Sequence, residues 1–438
     1  MTEKPNILFI LADDLGWGDV GYHGSPIETP NIDRLAAEGV ELDRHYVCPM
    51  CTPTRVSFLT AQYPGRFGKH ATVPSNAPVL PDGFKTIASY LRDSGYDTGL
   101  FGKWHLGSQI DVCANQYGFN HSYGSLAGGV HPWIHKYKKG DDSTTWQRNG
   151  ELISEKGHVT DLLTQETVNW IETRTTPWFA YVPYTAVHIP VDAPHGWLDK
   201  YANQKFDGDP LKDNSYKRYA AYTSHMDHCI GELIDSLKRM DQYGNTIVIF
   251  ASDNGAIHGM PLHGSDDYPG WQFHTPRLGS NGELRGQKAT LYEGGIRTPA
   301  VISWPEKLKA SKCTTPINMV DWLPTLCHVT DSMPAEHPLL DGINVWDQIE
   351  HNQPSNPDRH MYINFRGKEY GVISGDYKLK IGEPLRGKKE VTELFDLSTD
   401  PTETTDLSKE KPEIVEKLLR LISEEQKLDD RHKRKDAL

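Results

Sequence analysis

The sequence has no uninterrupted apolar run long enough to cross a bilayer, which excludes a helical membrane span and leaves no membrane partner to expect. It shows no apolar leader either. Residues 1–6 are short and polar, and a buried-strand pattern starts at Ile7. As it stands the chain reads as cytoplasmic, or as periplasmic or secreted if a leader has been trimmed. Positive charge is not in surplus. With 46 Lys and Arg against 59 Asp and Glu, the net charge is −13, so the surface as a whole does not attract nucleic acid. An anionic substrate must be drawn by a local basic pocket. Cysteine is sparse: Cys48, Cys51, Cys113, Cys229, Cys313 and Cys327 form neither paired CxxC units nor a dense disulfide framework. That usage suits a reduced compartment. One CxxC remains, Cys48 to Cys51, and a redox motif is its routine reading. There is no internal repeat, and 37% hydrophobic with 24% charged residues is too close to globular averages for disorder.

A chain of 438 residues exceeds what one core usually supports, so a large domain with a smaller one is expected. A unit recurs along it: a short apolar run, a polar cluster, then a helix pattern. Residues 7–11 run into Asp13-Asp14, and residues 98–101 into Lys103-Trp104-His105. Residues 178–182 lead toward His188, and residues 246–251 into Asp253-Asn254. Continuous apolar strands are buried on both faces, as in a parallel sheet covered by helices. Thr29-Pro30 opens a helix that Gly39 stops; residues 86–92, ended by Gly95, repeat the scheme. Tyr219, Tyr222, Met226, Ile230, Leu233 and Leu237 form a longer amphipathic stripe. The expected fold is α/β, with a large, mostly parallel central sheet sandwiched by helices over residues 1–352. Residues 353–438 are expected to form a small α+β subdomain. Residues 361–381 would supply antiparallel strands and residues 413–425 a terminal helix, with residues 427–435 as a solvated, frayed end. Ligands of such sheets sit beyond the carboxyl ends of the strands, where all four polar clusters fall.

Cys51-Thr52-Pro53-Thr54-Arg55 carries a cap and a first-turn proline, which would place Cys51 just before a helix N-terminus, where an anion is favoured. Arg55 can point back at the same spot. A merely buried or reactive cysteine is the plain alternative. Asp13, Asp14, Asp253 and Asn254 offer hard oxygens from two strand ends, suited to Ca²⁺ or Mg²⁺. Each pair alone reads equally well as a turn. Lys103, His105, His188 and Lys288 complete a cationic ring that could neutralise a tetrahedral oxyanion and exchange protons.

These residues closely resemble the type I sulfatases, whose signature looks like Cys51-Thr52-Pro53-Thr54-Arg55. Gly21-Tyr22-His23-Gly24, Thr29-Pro30-Asn31-Ile32-Asp33 and Gly102-Lys103-Trp104-His105-Leu106-Gly107 match as well. So do Ser252-Asp253-Asn254-Gly255, Leu284-Arg285-Gly286-Gln287-Lys288 and Leu394-Phe395-Asp396-Leu397. The resemblance implies an alkaline phosphatase/sulfatase-like fold and oxidation of Cys51 to Cα-formylglycine by a maturation enzyme. It also implies a metal, Ca²⁺ or Mg²⁺, held by Asp13, Asp14, Asp253, Asn254 and the modified residue 51. In that scheme Arg55 and Lys103 fix the formylglycine hydrate, Lys288 and His188 grip the sulfate and leaving oxygen, and His105 is a base.

The insert at residues 128–148 contains His131, Trp133, His135, Lys136, Lys138 and Lys139. Aromatic faces beside cations suit a sulfated or uronate-bearing sugar, although a solvated basic loop is the alternative. Within the family, Trp133-Ile134-His135, Arg148-Asn149-Gly150-Glu151 and residues 340–346 most resemble the N-acetylgalactosamine-4-sulfatase (arylsulfatase B-like) branch. The implied substrate is 4-O-sulfated galactosamine of chondroitin or dermatan sulfate, with sulfated galactans as the rival. Some relatives place a sulfate-binding serine where this chain has Gly128-Gly129. Two other classes stay open: a phosphodiester or phosphonate ester hydrolase on the same scaffold, and a non-enzymatic glycan binder.

Overall fold

The run Ile7-Leu8-Phe9-Ile10-Leu11 has no polar position, and its alternate side chains enter two separate apolar clusters. Ile7, Phe9 and Leu11 face one, and Leu8, Ile10 and Ala12 the other, as a strand buried on both faces requires. The computed structural model describes residues 4–138, 143–262, 275–334, 336–337, 339–354, 356, 358–383 and 390–435. Asn6–Ala12 pairs in parallel with Trp178–Pro183 on one side and Thr246–Ser252 on the other. Asp97–Phe101 and His121–Ser125 extend the parallel run. Ala300–Ser303 joins Thr246–Ser252 antiparallel, and Trp146–Arg148 closes antiparallel on His121–Ser125, within a sheet of ten strands.

Helices cover both faces. Cys51–Thr60, Ile87–Asp93 and Trp322–Val329 pack on one; Pro30–Glu38, Val159–Glu172 and Pro210–Arg239 pack on the other. This is the helix-covered α/β sheet expected from the strand pattern. No described helix is long and apolar enough to cross a membrane. Thr29 precedes Pro30–Glu38, but its side chain caps nothing. The free amides of Asn31 and Ile32 end on Asp227 of the long helix, at 3.1 and 2.8 Å.

Toward the C-terminus, His360–Phe365, Glu369–Ser374, Tyr377–Gly382 and Val391–Asp396 form an antiparallel meander, against which Pro412–Gln426 lays Leu418 and Ile422. Lys378 of this sheet is buried between Glu293 and Glu403, at 3.0 and 2.8 Å. The end of the chain departs from expectation. Arg431 reaches Gln62 and Asp341, Arg434 reaches the Leu80 carbonyl and Asp82, and the His432 ring packs on Phe67 and Phe84. Residues 429–434 are therefore pinned to the large domain rather than frayed. The run looks solvated in the sequence because its partners are distant: Asp341 lies 90 residues earlier, and Gln62, Leu80 and Asp82 more than 300.

Candidate active site

Three neighbouring parallel strands end on the polar clusters. Beyond Asn6–Ala12, Asp13 is locked between strand ends. Its amide donates to the Ala186 carbonyl at 2.9 Å, and its carbonyl accepts from Val187 at 2.8 Å. Asp14 takes a left-handed φ of 68°, which turns its carboxylate away from the strand direction. Its amide donates to Asp253 Oδ1 at 3.2 Å, so the loops after two adjacent strands are tied together. Asp13, Asp253 and Cys51 offer ligand atoms all within 4.8 Å of one another, and so do Asp13, Asp14 and His188.

Cys51 is the first residue of the buried helix Cys51–Thr60, with Met50 as its N-cap. The expectation that Thr52 caps the helix fails: Thr52 Oγ1 instead donates to the His105 carbonyl at 3.2 Å. Thr54, to which no role had been given, anchors the helix start. Its hydroxyl accepts from the Cys48 amide at 3.0 Å and donates to the Asp253 carbonyl at 2.6 Å. Arg55 does point back at the site. It donates to the Lys103 carbonyl and to Asp253 Oδ2, each at 2.8 Å, with no exposed surface.

The other cations complete the shell. Lys103 Nζ donates to Asp13 Oδ2 at 2.6 Å, and Lys288 Nζ to Asp14 Oδ1 and, at 3.6 Å, to Cys51 Sγ. His188 Nε2 lies 3.9 Å from Asp14 Oδ2 while its Nδ1 meets the Ile189 carbonyl at 2.6 Å. His105 Nδ1 is buried and has no hydrogen-bond partner among the described residues. A Cβ on Gly128 would stand 2.2 Å from His105 Nε2, so a serine there would collide with the ring. At Gly128, one of the two glycines that stand where some relatives place a serine, a side chain has no room.

Burial and Asp253 push the Asp13 carboxyl up to about 7, against the pull of Lys103. Burial also acts on Asp14, but Lys288 and His188 outweigh it and hold that carboxyl at about 2. Burial lowers His188 to about 3, and burial with Lys103 and Arg55 drives His105 well below the ordinary histidine range. Burial lifts Cys51 to about 11 and Cys48 to about 12, and both are free thiols. Two buried, protonated thiols do not suit the redox reading of the CxxC.

The donor set fits a divalent cation. Asp13 Oδ1 and Asn254 Oδ1 are buried oxygens without hydrogen-bond partners among the described residues, set among carboxylates that repel one another. A hard ion such as Ca²⁺ or Mg²⁺ would satisfy both and remove the repulsion. Residue 51 stands as cysteine; its Sγ occupies the place that an oxygen of a formylglycine hydrate would take.

The candidate sugar-binding residues divide. Trp133 is exposed, donates its indole N–H to Asp192 Oδ2 at 3.0 Å, and sits edge-on to His158. With Asp192, His195 and Arg218 it lines a cavity of about 340 Å³. Lys136 is exposed. His131 and His135 are buried. The His131 ring accepts from the Trp133 amide at 3.2 Å, and His135 stacks on Trp146 and meets the Gly157 carbonyl at 2.9 Å. Both histidines hold the loop's own shape. Lys139 lies outside the described residues.

The chain matches the family model described as Sulfatase over residues 5–332, three quarters of its length. It belongs to the sulfatase family. A second model, described as N-sulphoglucosamine sulphohydrolase, C-terminal, matches residues 285–428. Arylsulfatase J of Mus musculus is 33% identical over 97% of this chain and 76% of its own length. N-acetylgalactosamine-6-sulfatase of Mus musculus is 29% identical over 90% of this chain and 75% of its own. Among solved structures, Ps i-CgsB in complex with k-i-k-neocarrahexaose superposes with a TM-score of 0.85 at 28% identity, covering 99% and 96% of the two chains. The sulfatase is thus a sulfuric ester hydrolase of type I, a family that works with formylglycine and a divalent metal.

Proposed function

We propose that this sulfatase removes a sulfate ester from a sulfated carbohydrate, with 4-O-sulfated N-acetylgalactosamine of chondroitin or dermatan sulfate as its substrate. The observation that carries the hydrolytic reading is the meeting of Asp13, Asp253 and Cys51 within 4.8 Å under a shell of Lys103, Arg55 and Lys288. When bound, a divalent ion held by Asp13, Asp14, Asp253 and Asn254 supplies positive charge to acidify a hydroxyl and to neutralise sulfate oxygens. Matured to formylglycine, residue 51 supplies as its hydrate one hydroxyl for in-line attack on sulfur and a second whose deprotonation releases sulfate.

The remaining residues act on charge and protons. Lys103 and Arg55 hold the carboxylates of Asp13 and Asp253 in place, so the ion-binding oxygens are set before substrate arrives. Lys288, which reaches both Asp14 and residue 51, neutralises the sulfate beside the nucleophile. The leaving oxygen takes its proton from Lys288, which its pairing with Asp14 keeps charged, while His188, neutral through burial and with Nδ1–H held by the Ile189 carbonyl, turns Nε2 toward the acidic cluster. His105, neutral through burial, has Nδ1 without a partner and accepts the proton of the second hydroxyl.

The similarity of residues 133–135, 148–151 and 340–346 to the 4-sulfatase branch supports the 4-position, and Trp133 beside the Asp192–Arg218 cavity supports a sugar face. A sulfated galactan is the second reading, favoured by the neocarrahexaose held by the similar i-CgsB. Sulfate release from defined 4-sulfated and 6-sulfated chondroitin oligosaccharides, with a carrageenan oligosaccharide alongside, separates these readings. Release from the 4-sulfated set is expected. Release from the 6-sulfated set alone, as the 6-sulfatase relatives would suggest, overturns the 4-position.

A further inference from the structure

On the sheet face opposite Cys51–Thr60, Val159–Glu172 packs against Pro210–Arg239. His158 caps the first of these helices and Asp161 lies in its first turn, while His225 and Cys229 stand one turn apart on the second. His158, Asp161 and His225 offer ligand atoms within 4.8 Å of one another. Cys229 Sγ lies 3.6 Å from Asp161 Oδ1 and 3.6 Å from His225 Nε2. Zinc bonds of about 2.0–2.3 Å in a tetrahedron put neighbouring ligand atoms about 3.5 Å apart; Cys229 already stands at that spacing from Asp161 and His225, and a His158 ring nitrogen lies within 4.8 Å of both.

We propose that His158, Asp161, His225 and Cys229 form a structural Zn²⁺ site, separate from the oxygen-rich catalytic cluster. Sulfur and imidazole nitrogen select zinc, whereas the carboxylate and amide oxygens around Asp13 select a hard ion. Three of the four side chains are almost wholly buried, while Asp161, about half exposed, gives the ion a way in. His158 Nε2 donates to the Asp192 carbonyl at 2.9 Å, the outer contact that metal-bound imidazoles make; its Nδ1 accepts the Thr160 amide at 3.2 Å, and binding exchanges that cap hydrogen bond for a bond to the ion. His225 Nδ1 is buried with no hydrogen-bond partner among the described residues, so no second bond there fixes its ring and either nitrogen can face the metal. Binding replaces the 2.6 Å hydrogen bond between His225 and Asp161, and the Cys229 thiol loses its proton to solvent. Because the His158 ring supports Trp133 at 4.9 Å, the ion stiffens one wall of the Asp192–Arg218 cavity.

The test uses the full chain carrying Cys51→Ala, which removes the thiol from the catalytic cluster, in saturating Ca²⁺, which fills the oxygen site. One Zn²⁺ per chain is expected by elemental analysis after gel filtration, together with a raised unfolding temperature. Co²⁺ should give a sulfur-to-metal charge-transfer band with tetrahedral d–d bands. Adding Cys229→Ser should abolish the charge-transfer band, and adding Asp161→Asn should weaken Zn²⁺ binding at least about tenfold, the scale of a lost zinc contact. No charge-transfer band with Co²⁺, or the same band after Cys229→Ser, overturns the site and leaves a hydrogen-bonded cluster only. If Cys229→Ser does not fold, Asp161→Asn decides: unchanged Zn²⁺ affinity overturns the site.

Discussion

Gly128→Ala should disable the base while sparing the fold. The new Cβ would stand 2.2 Å from His105 Nε2 and 2.5 Å from its Cε1, where ordinary contact begins at 3.4 Å. The ring must therefore retreat by more than 1 Å, because the backbone of His105 cannot follow. That residue has a left-handed φ of 57°, its amide donates to the Leu126 carbonyl, and its carbonyl accepts from Thr52. A misplacement of about 1 Å costs up to about 100-fold in rate, while overpacking costs about 1–3 kcal/mol of stability. With a chromogenic aryl sulfate, the variant should release one alcohol per enzyme in a burst and then turn over about 100-fold more slowly than wild type. His105 acts after the alcohol has left, so the burst survives. Combining Gly128→Ala with His105→Ala should be no slower than His105→Ala alone. Wild-type turnover in Gly128→Ala, or two effects that simply multiply, would refute the reasoning.

Lys103→Ala strips Asp13 of its closest cation, and a buried pair broken on one side costs about 3–5 kcal/mol. Chemical unfolding should show that loss in the presence of chelator and a smaller one in saturating Ca²⁺; equal losses would count against an ion at Asp13. His135→Phe should lower the melting temperature through the lost Gly157 contact and leave KM unchanged, whereas Trp133→Ala should raise KM for oligosaccharides with little change in melting. The opposite pattern would restore His135 as a sugar contact. Burial acts to raise Glu166, but hydrogen bonds from His121 and Arg148 hold it at about 2, below its ordinary 4.5. Its contribution to stability is therefore full above about pH 4.5 and lost as pH falls toward 2. Glu166→Gln should flatten the acid limb of stability in that window; an unchanged limb would contradict the assignment.

Much of this was legible in the sequence because the chemistry sits where the pattern changes. A strand buried on both faces leaves an apolar run such as residues 7–11, and the first polar residues after it, Asp13 and Asp14, mark the end where a ligand must lie. Lys103 and Asp253 follow their strands in the same way, whereas His188 stands five residues beyond the end of its strand. Contacts that join distant stretches left no local trace. Thr29 looked like the cap of its helix, yet the orphan amides are taken by Asp227, almost 200 residues away. Thr54 holds the helix that Cys51 opens to the Asp253 loop through a carbonyl that no motif encodes. His131 and His135 have the residue type of a sugar site, but orientation decides their role, and their rings turn inward. Gly128 looked like a missing serine; only the distance to the His105 ring shows that a side chain has no room there.

In the proposed reaction residue 51, as an aldehyde, is the group that releases sulfate. The most direct measurement pairs the mass of the peptide spanning residue 51 with sulfate release by the same preparation. Turnover should scale with the fraction of peptide in which CH₂SH has become CHO, and Cys51→Ala should fold and release none. Undiminished sulfate release from fully unmodified or Cys51→Ala protein would contradict it.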